Sequence, residues 1–147
     1  MALDRFLVIT SVSLCGLLCS ACTNDLQKLD GRLEGAAVEV TIHRVESAKS
    51  SPPRTVAIYG DLKIVGSKRI KSADLSCVSL AIGDARSSNI YVDRVAHVLT
   101  KKYASGEDGS INAPVYWIIP GVDPEKVDVA KTRIILDDAA RECVRYF

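Results

Sequence analysis

Seven side chains of this sequence are of types that carry thiol or imidazole chemistry. They are five cysteines and two histidines: Cys15, Cys19, Cys22, Cys77, Cys143, His43 and His97. A histidine beside a cysteine can activate the thiol as a nucleophile, and the spacing Cys19-x-x-Cys22 is that of a redox pair or half of a zinc site. No local pattern supplies a base and an orienting partner for a catalytic thiol, and Cys19-x-x-Cys22 lies in a segment that we expect to be cut between the two cysteines. We therefore expect no catalytic residue, no metal site and no cofactor.

Other catalytic and ligand-binding motifs are missing from the sequence as well. There is no HExxH, no GxSxG, no phosphate-binding glycine loop and no EF-hand pattern. Asp137 and Asp138 are adjacent carboxylates, but neighbouring acids are more typical of a turn or a helix cap than of an acid and base pair. The motifs thus favour a protein without enzymatic activity.

The amino-terminal stretch has the layout of a secretory signal. Arg5 precedes an apolar run, residues 6–18, and small residues follow the run. A helix needs about 20 apolar residues to cross a bilayer, and this run is shorter. We expect residues 1–21 to be a removable signal peptide.

The end of this stretch resembles the lipobox of bacterial lipoproteins. Ser20, Ala21 and Cys22 match three of its four positions, and Cys19 stands where an aliphatic residue is usual. The resemblance implies that a diacylglyceryl group is attached to the Cys22 sulfur and that cleavage leaves Cys22 as the amino terminus. Because Thr23 rather than Asp follows, it also implies the outer membrane, facing the periplasm.

The remaining cysteines form an even pair once the signal is removed and Cys22 carries lipid. They are Cys77 and Cys143. In an exported, oxidising compartment two such cysteines are expected to form a disulfide.

The segment between the lipobox and the domain is polar. Residues 23–35 contain Gly31 and Gly35 and few large apolar side chains, a composition typical of a flexible linker. We expect residues 22–35 to form a lipidated flexible tether and residues 36–147 to form the globular domain.

The domain begins with the period-two pattern of half-buried strands. Val38, Val40 and Ile42 alternate with polar residues, which places His43 on the polar face. Further along, β-forming residues flank Gly60-Asp61, and this pattern predicts a two-residue hairpin turn. Three more strands are predicted at 74–82, 115–119 and 132–136.

Two segments fit either a helix or a strand. Residues 90–103 have helical apolar spacing but many β-branched side chains, and we favour one strand of a long hairpin with its tip at 104–112. Residues 137–147 are equally ambiguous. The expected fold is mainly β, a two-sheet sandwich of about seven strands, immunoglobulin-like or transthyretin-like. The alternative is an α+β fold with helices near 90–103 and 137–147.

The charges nearly balance, with 19 basic against 18 acidic residues, so nucleic-acid binding is not indicated. We expect a non-enzymatic envelope lipoprotein, joined to the membrane by its lipid, that binds an envelope protein as an accessory or assembly module. The candidate interaction surface is Tyr103, Glu107, Asp108 and Trp117. Trp117 is alternatively a core anchor, or part of an exposed aromatic patch with Tyr91 or Tyr103.

The sequence is also compatible with two other functional classes. One is a periplasmic enzyme, or an inhibitor of one, that uses Cys77, His43 or His97. The other is a small-ligand carrier with an aromatic pocket around Trp117.

Overall fold

The structure is a computed structural model that describes residues 26–48, 54–93, 102–137 and 142–147. The predictions for the signal peptide 1–21, for lipidation of Cys22 and for His97 lie outside these residues. So does most of the alternative helix near 90–103.

Eleven β-strands make up most of the described chain, and all of their pairings are antiparallel. They are β1 (Gln27–Leu33), β2 (Ala36–Ser47), β3 (Thr55–Val65), β4 (Ile70–Ala73), β5 (Val78–Ile82), β6 (Ala85–Arg86), β7 (Asn89–Val92), β8 (Tyr103–Ala104), β9 (Ile111–Pro120), β10 (Thr132–Leu136) and β11 (Val144–Tyr146). The prediction of a mainly β fold is confirmed.

The strands form three sheets around one core. A five-stranded sheet has the order β1-β2-β3-β9-β7, and two three-stranded sheets have the orders β10-β5-β6 and β11-β4-β8. Buried side chains from all three sheets belong to one hydrophobic cluster, which gives a sandwich-like arrangement. The α+β alternative is wrong for the described parts of its two segments, because residues 89–92 and 144–146 are strands.

Three short 3₁₀ turns connect strands, each capped by an aspartate. Leu75–Cys77, Pro124–Lys126 and Val129–Lys131 follow Asp74, Asp123 and Asp128, whose side chains accept backbone N–H bonds of the turn. The strand predicted at 74–82 therefore starts later, at Val78, because Asp74 first caps a turn.

The first strand lies where a flexible tether was predicted. Leu33 pairs with Ala36, so two residues connect β1 to β2, and both have positive φ, 48° at Glu34 and 83° at Gly35. That pair of angles is the requirement of a type I′ hairpin turn. The tether prediction is wrong for residues 27–35, because their polar side chains cover the exposed face of a strand whose last residue, Leu33, is fully buried.

The third strand passes through the predicted hairpin turn without a break. Gly60 and Asp61 lie inside β3 and pair with residues of both β2 and β9. The predicted Gly60-Asp61 turn is therefore wrong. A bulge in β2, where the register shifts between Ile42 and Arg44, faces Gly60. A Cβ atom at Gly60 would collide with the Thr41 carbonyl oxygen, so glycine is needed here for close backbone approach.

The predicted disulfide between Cys77 and Cys143 is present. Its S–S distance is 2.05 Å, and it closes a loop with a sequence separation of 66 residues. The cysteines are 0% and 1% exposed. The bond joins the turn before β5 to the residue before β11, and it thereby links the two small sheets.

Candidate functional site

Trp117, one of the four residues predicted to form the interaction surface, lies in the core. Its side chain is fully buried, and its indole N–H donates a hydrogen bond of 2.9 Å to the Val78 carbonyl. The alternation of β9 points Trp117 inward, so placing it on a surface was wrong and the core-anchor interpretation is correct. Because Trp117 is buried, it does not line an open aromatic pocket, which the hypothesis of a small-ligand carrier requires.

The other three residues of that surface lie around the turn at 104–110. Glu107 and Asp108 are exposed, while Tyr103 is half-buried in β8. The Asp108 carboxylate accepts the Ser110 hydroxyl at 2.7 Å and the Ser110 N–H at 3.0 Å. These bonds hold the pKa of Asp108 below its ordinary value. Asp108 and Ser110 thus use much of their hydrogen-bonding capacity on each other, within the turn.

A row of aromatic side chains crosses the outer face of the five-stranded sheet. We call Arg44, Tyr59, Tyr116 and Tyr91 the tyrosine row. The strand register places Arg44 opposite Tyr59, Tyr59 opposite Tyr116, and Tyr116 opposite Tyr91. The ring centroids of Tyr59 and Tyr116 are 5.1 Å apart, and those of Tyr116 and Tyr91 are 5.0 Å apart. These distances match the spacing of adjacent strands, so the stack follows directly from the register.

Arg44 ends the row at β2 through a cation–π contact. Its guanidinium carbon lies 4.1 Å from the Tyr59 ring centroid, well within the range of such contacts. Its Nε donates to Glu46 at 2.9 Å.

The bulge in β2 positions Arg44 at the end of the row. A bulge places an additional residue against one partner position and redirects the neighbouring side chains. Here His43 bonds Asp61 at 2.7 Å, while Arg44 lies over Tyr59. Gly60, which faces the bulge, allows the two strands to approach closely enough for both contacts.

The environment of the row favours the protonated form of its central residue, Tyr116. Burial raises the pKa of Tyr116 above its ordinary value, and Tyr59, Tyr91 and Asp93 contribute in the same direction. All three tyrosines are partly exposed. Each phenol hydroxyl of the row can donate and accept a hydrogen bond next to the edge of an aromatic ring.

Only one member of this row, Tyr91, is predicted from the sequence to lie at a surface site, as a possible companion of Trp117 in an aromatic patch. The sequence of β9 contains the information needed to predict Tyr116. Adjacent residues of a strand point to opposite faces of the sheet, so a buried Trp117 requires that Tyr116 point outward. Tyr59 and Arg44 join the row only through the pairings of β2 and β3.

The thiol chemistry considered from the sequence does not fit the described residues. Cys77 is buried in a disulfide, so it holds no free thiol for catalysis. His43 is bonded to Asp61, and His97 lies outside the described residues. Among the described residues, no cluster of three or more histidine, cysteine or acidic side chains could hold a metal ion.

The described part of the chain also has no helix long and apolar enough to cross a membrane. Comparison with protein-family models, with curated proteins and with solved structures finds no match to this chain.

Proposed function

We propose that this protein is a lipid-anchored envelope protein that binds another protein through the tyrosine row. The observation that carries the proposal is the row itself, three stacked and partly exposed tyrosines that end in an arginine. Tyrosine and arginine are enriched at protein interfaces and at the few residues that supply most of the binding energy. Stacked rings also lose little side-chain entropy on binding, because the stack already restricts them.

The rim of the row supports a protein partner. Asp61, Glu46 and Asp93 lie beside the aromatic centre, together with Arg44 and His43. An apolar and aromatic centre with polar and charged groups around it is the usual anatomy of a protein interface. Binding to a protein surface is the activity that these side chains support.

The proposed membrane anchor is a lipid on Cys22, because a lipobox-like sequence precedes this residue. Lipidation there would hold the protein in the bacterial cell envelope, at the outer membrane and facing the periplasm. The buried Cys77–Cys143 disulfide is consistent with such an oxidising compartment. The protein would serve a larger envelope assembly as an accessory module.

The test is retention of envelope proteins on the immobilised domain, residues 26–147, quantified by mass spectrometry. Arg44→Ala and Tyr91→Ala alter the two ends of the row, and each should reduce retention of the partner about tenfold or more, as expected for residues that dominate an interface. Glu107→Ala is the matched control, because it changes an exposed residue of the 104–110 turn. Unchanged retention with both row variants, and loss with Glu107→Ala, would move the binding surface to that turn.

A further inference from the structure

The chain becomes part of the sheet very close to the proposed lipid. The Leu26 N–H donates to the Ile42 carbonyl at 2.8 Å, so β2 holds the chain from Leu26 onward. Cys22 is four residues earlier. A fully extended chain gains at most about 3.6 Å per residue, so the Cα atoms of Cys22 and Leu26 are at most about 14 Å apart.

The tyrosine row must therefore work close to the membrane. The row extends from β2 to β7, and β7 lies four strand positions from β1. With about 4.8 Å between neighbouring strands, its far end lies about 19 Å from the β1 edge. All of its side chains then lie within roughly 35 Å of the lipidated residue.

From this geometry we infer that the partner of the tyrosine row is a protein fixed in, or tightly bound to, the same membrane that holds the lipid. The inference rests on the proposed function, because it requires both the anchor and the binding face. A protein fixed farther than about 35 Å from that membrane is out of reach of the row. A partner in the same membrane gains from confinement, since the short tether keeps the local concentration of the binding face high.

The outer face of the sheet favours a protein over the bilayer itself. Charged side chains of both signs lie on the same outer face as the row, among them Lys28, Asp30, Asp61 and Lys63, which are all exposed. Against a lipid surface these carboxylates would lose water without gaining partners, which costs free energy. Lipid headgroups attract clusters of basic residues, whereas a protein surface can match charges of both signs.

Two spacers inserted between Asp25 and Leu26 test the inference. One is sixteen prolines, a semi-rigid rod of about 50 Å, and the other is sixteen glycines and serines, with a root-mean-square length of about 22 Å. Both chains and the native chain carry p-benzoylphenylalanine in place of Tyr91, and they are irradiated in the source cells. We expect an adduct with a protein that stays in the membrane after alkaline carbonate washing. The flexible spacer should preserve its yield within about threefold, and the rigid spacer should lower it at least tenfold.

Several results would overturn the inference while leaving the row as a binding face. They are equal yields with the two spacers, an adduct with a protein that the carbonate wash releases, and a covalent dimer of this chain. The control carries the photoreactive residue in place of Asp84, in the turn between β5 and β6. No adduct from position 91 in the native chain, a lipid adduct alone, or the same adduct from position 84 would instead contradict the proposed function itself.

Discussion

Glu34 binds the main chain of Cys143, which lies 109 residues later in the sequence. One carboxylate oxygen of Glu34 accepts the Cys143 N–H at 3.0 Å, and the other accepts the Val144 N–H at 2.7 Å. The Tyr146 hydroxyl donates to the Glu34 carbonyl at 3.0 Å. The turn between β1 and β2 therefore holds β11 and the residue before it, Cys143, which forms one half of the disulfide.

Replacement of Glu34 should weaken the fold measurably. Glu34→Ala removes two hydrogen bonds to a carboxylate and leaves two amides without their acceptor, which should lower the free energy of unfolding by about 2 kcal/mol. Alanine and glutamate have a similar conformational cost at this positive φ, so the difference in the free energy of unfolding reports the hydrogen bonds of the carboxylate. Urea denaturation measures it. Glu39→Ala, on the neighbouring strand, should change stability by less than about 0.5 kcal/mol, and an equal loss for both variants would contradict the role of Glu34.

The disulfide should contribute more than this contact. In the chain-entropy model a loop of this length stabilises the folded state by about 4 kcal/mol. The double variant Cys77→Ala, Cys143→Ala should lose about that much in chemical denaturation. Because both cysteines are buried, the native protein should resist reduction until it unfolds. Rapid reduction and alkylation under native conditions would show that this part of the structure opens far more easily than its burial implies.

The sequence predicts strands that have clear apolar alternation or content, but it does not predict β1, whose composition is mostly polar. β2, β9 and β10 have the alternation or the apolar content on which such predictions depend. In β1 the exposed positions are charged and Gly31 occupies an inward one, since a side chain there would meet Leu136. The resulting composition is that of a linker. The information that makes this segment a strand lies in its partner β2, which a local pattern does not include.

The tyrosine row is not predicted from the sequence for the same reason. Tyr59, Tyr91 and Tyr116 are far apart in the sequence and meet only through the order β3-β9-β7. The pair Tyr116 and Trp117 shows that one neighbour points inward and the other outward, but not which one. Size favours the core position for tryptophan, and this consideration would have identified Tyr116 as the surface residue.

Gly60 offers a test of how the bulge positions the row. Gly60→Ala should lower the free energy of unfolding by about 1–3 kcal/mol, because its Cβ would force β2 away from β3. The same displacement should weaken the contact between Arg44 and Tyr59, which nuclear Overhauser effects between the Arg44 side chain and the Tyr59 ring can report. Gly106→Ala is the control, since its Cβ would meet neighbours at ordinary distances of 3.4 Å or more. If Gly60→Ala were as stable as that control, the close approach of the two strands would not require glycine.

Tyr116 should make the stability of the protein fall at alkaline pH. Its pKa is raised in the folded state, first by burial and then by Tyr59, Tyr91 and Asp93, while an unfolded tyrosine ionises near about pH 10. The stabilisation is fully present below the unfolded pKa and is lost as pH rises through the folded one, because unfolding then releases a proton. Denaturation of native protein and Tyr116→Phe from about pH 8 to about pH 11.5 should show the native chain losing stability relative to the variant above about pH 10.

A control separates this effect from the general loss of stability at high pH. Tyr103→Phe, which removes a phenol outside the row, is measured over the same pH range as the control for the loss of one hydroxyl group. Ultraviolet absorbance of phenolate in the folded protein follows the same ionisation directly, and Tyr116→Phe should remove a late-titrating component from it. If the native and Tyr116→Phe stability curves stayed parallel throughout, the hydroxyl of Tyr116 would ionise as readily in the folded chain as in the unfolded one. The row would then be far more solvated than the stacking of its rings indicates.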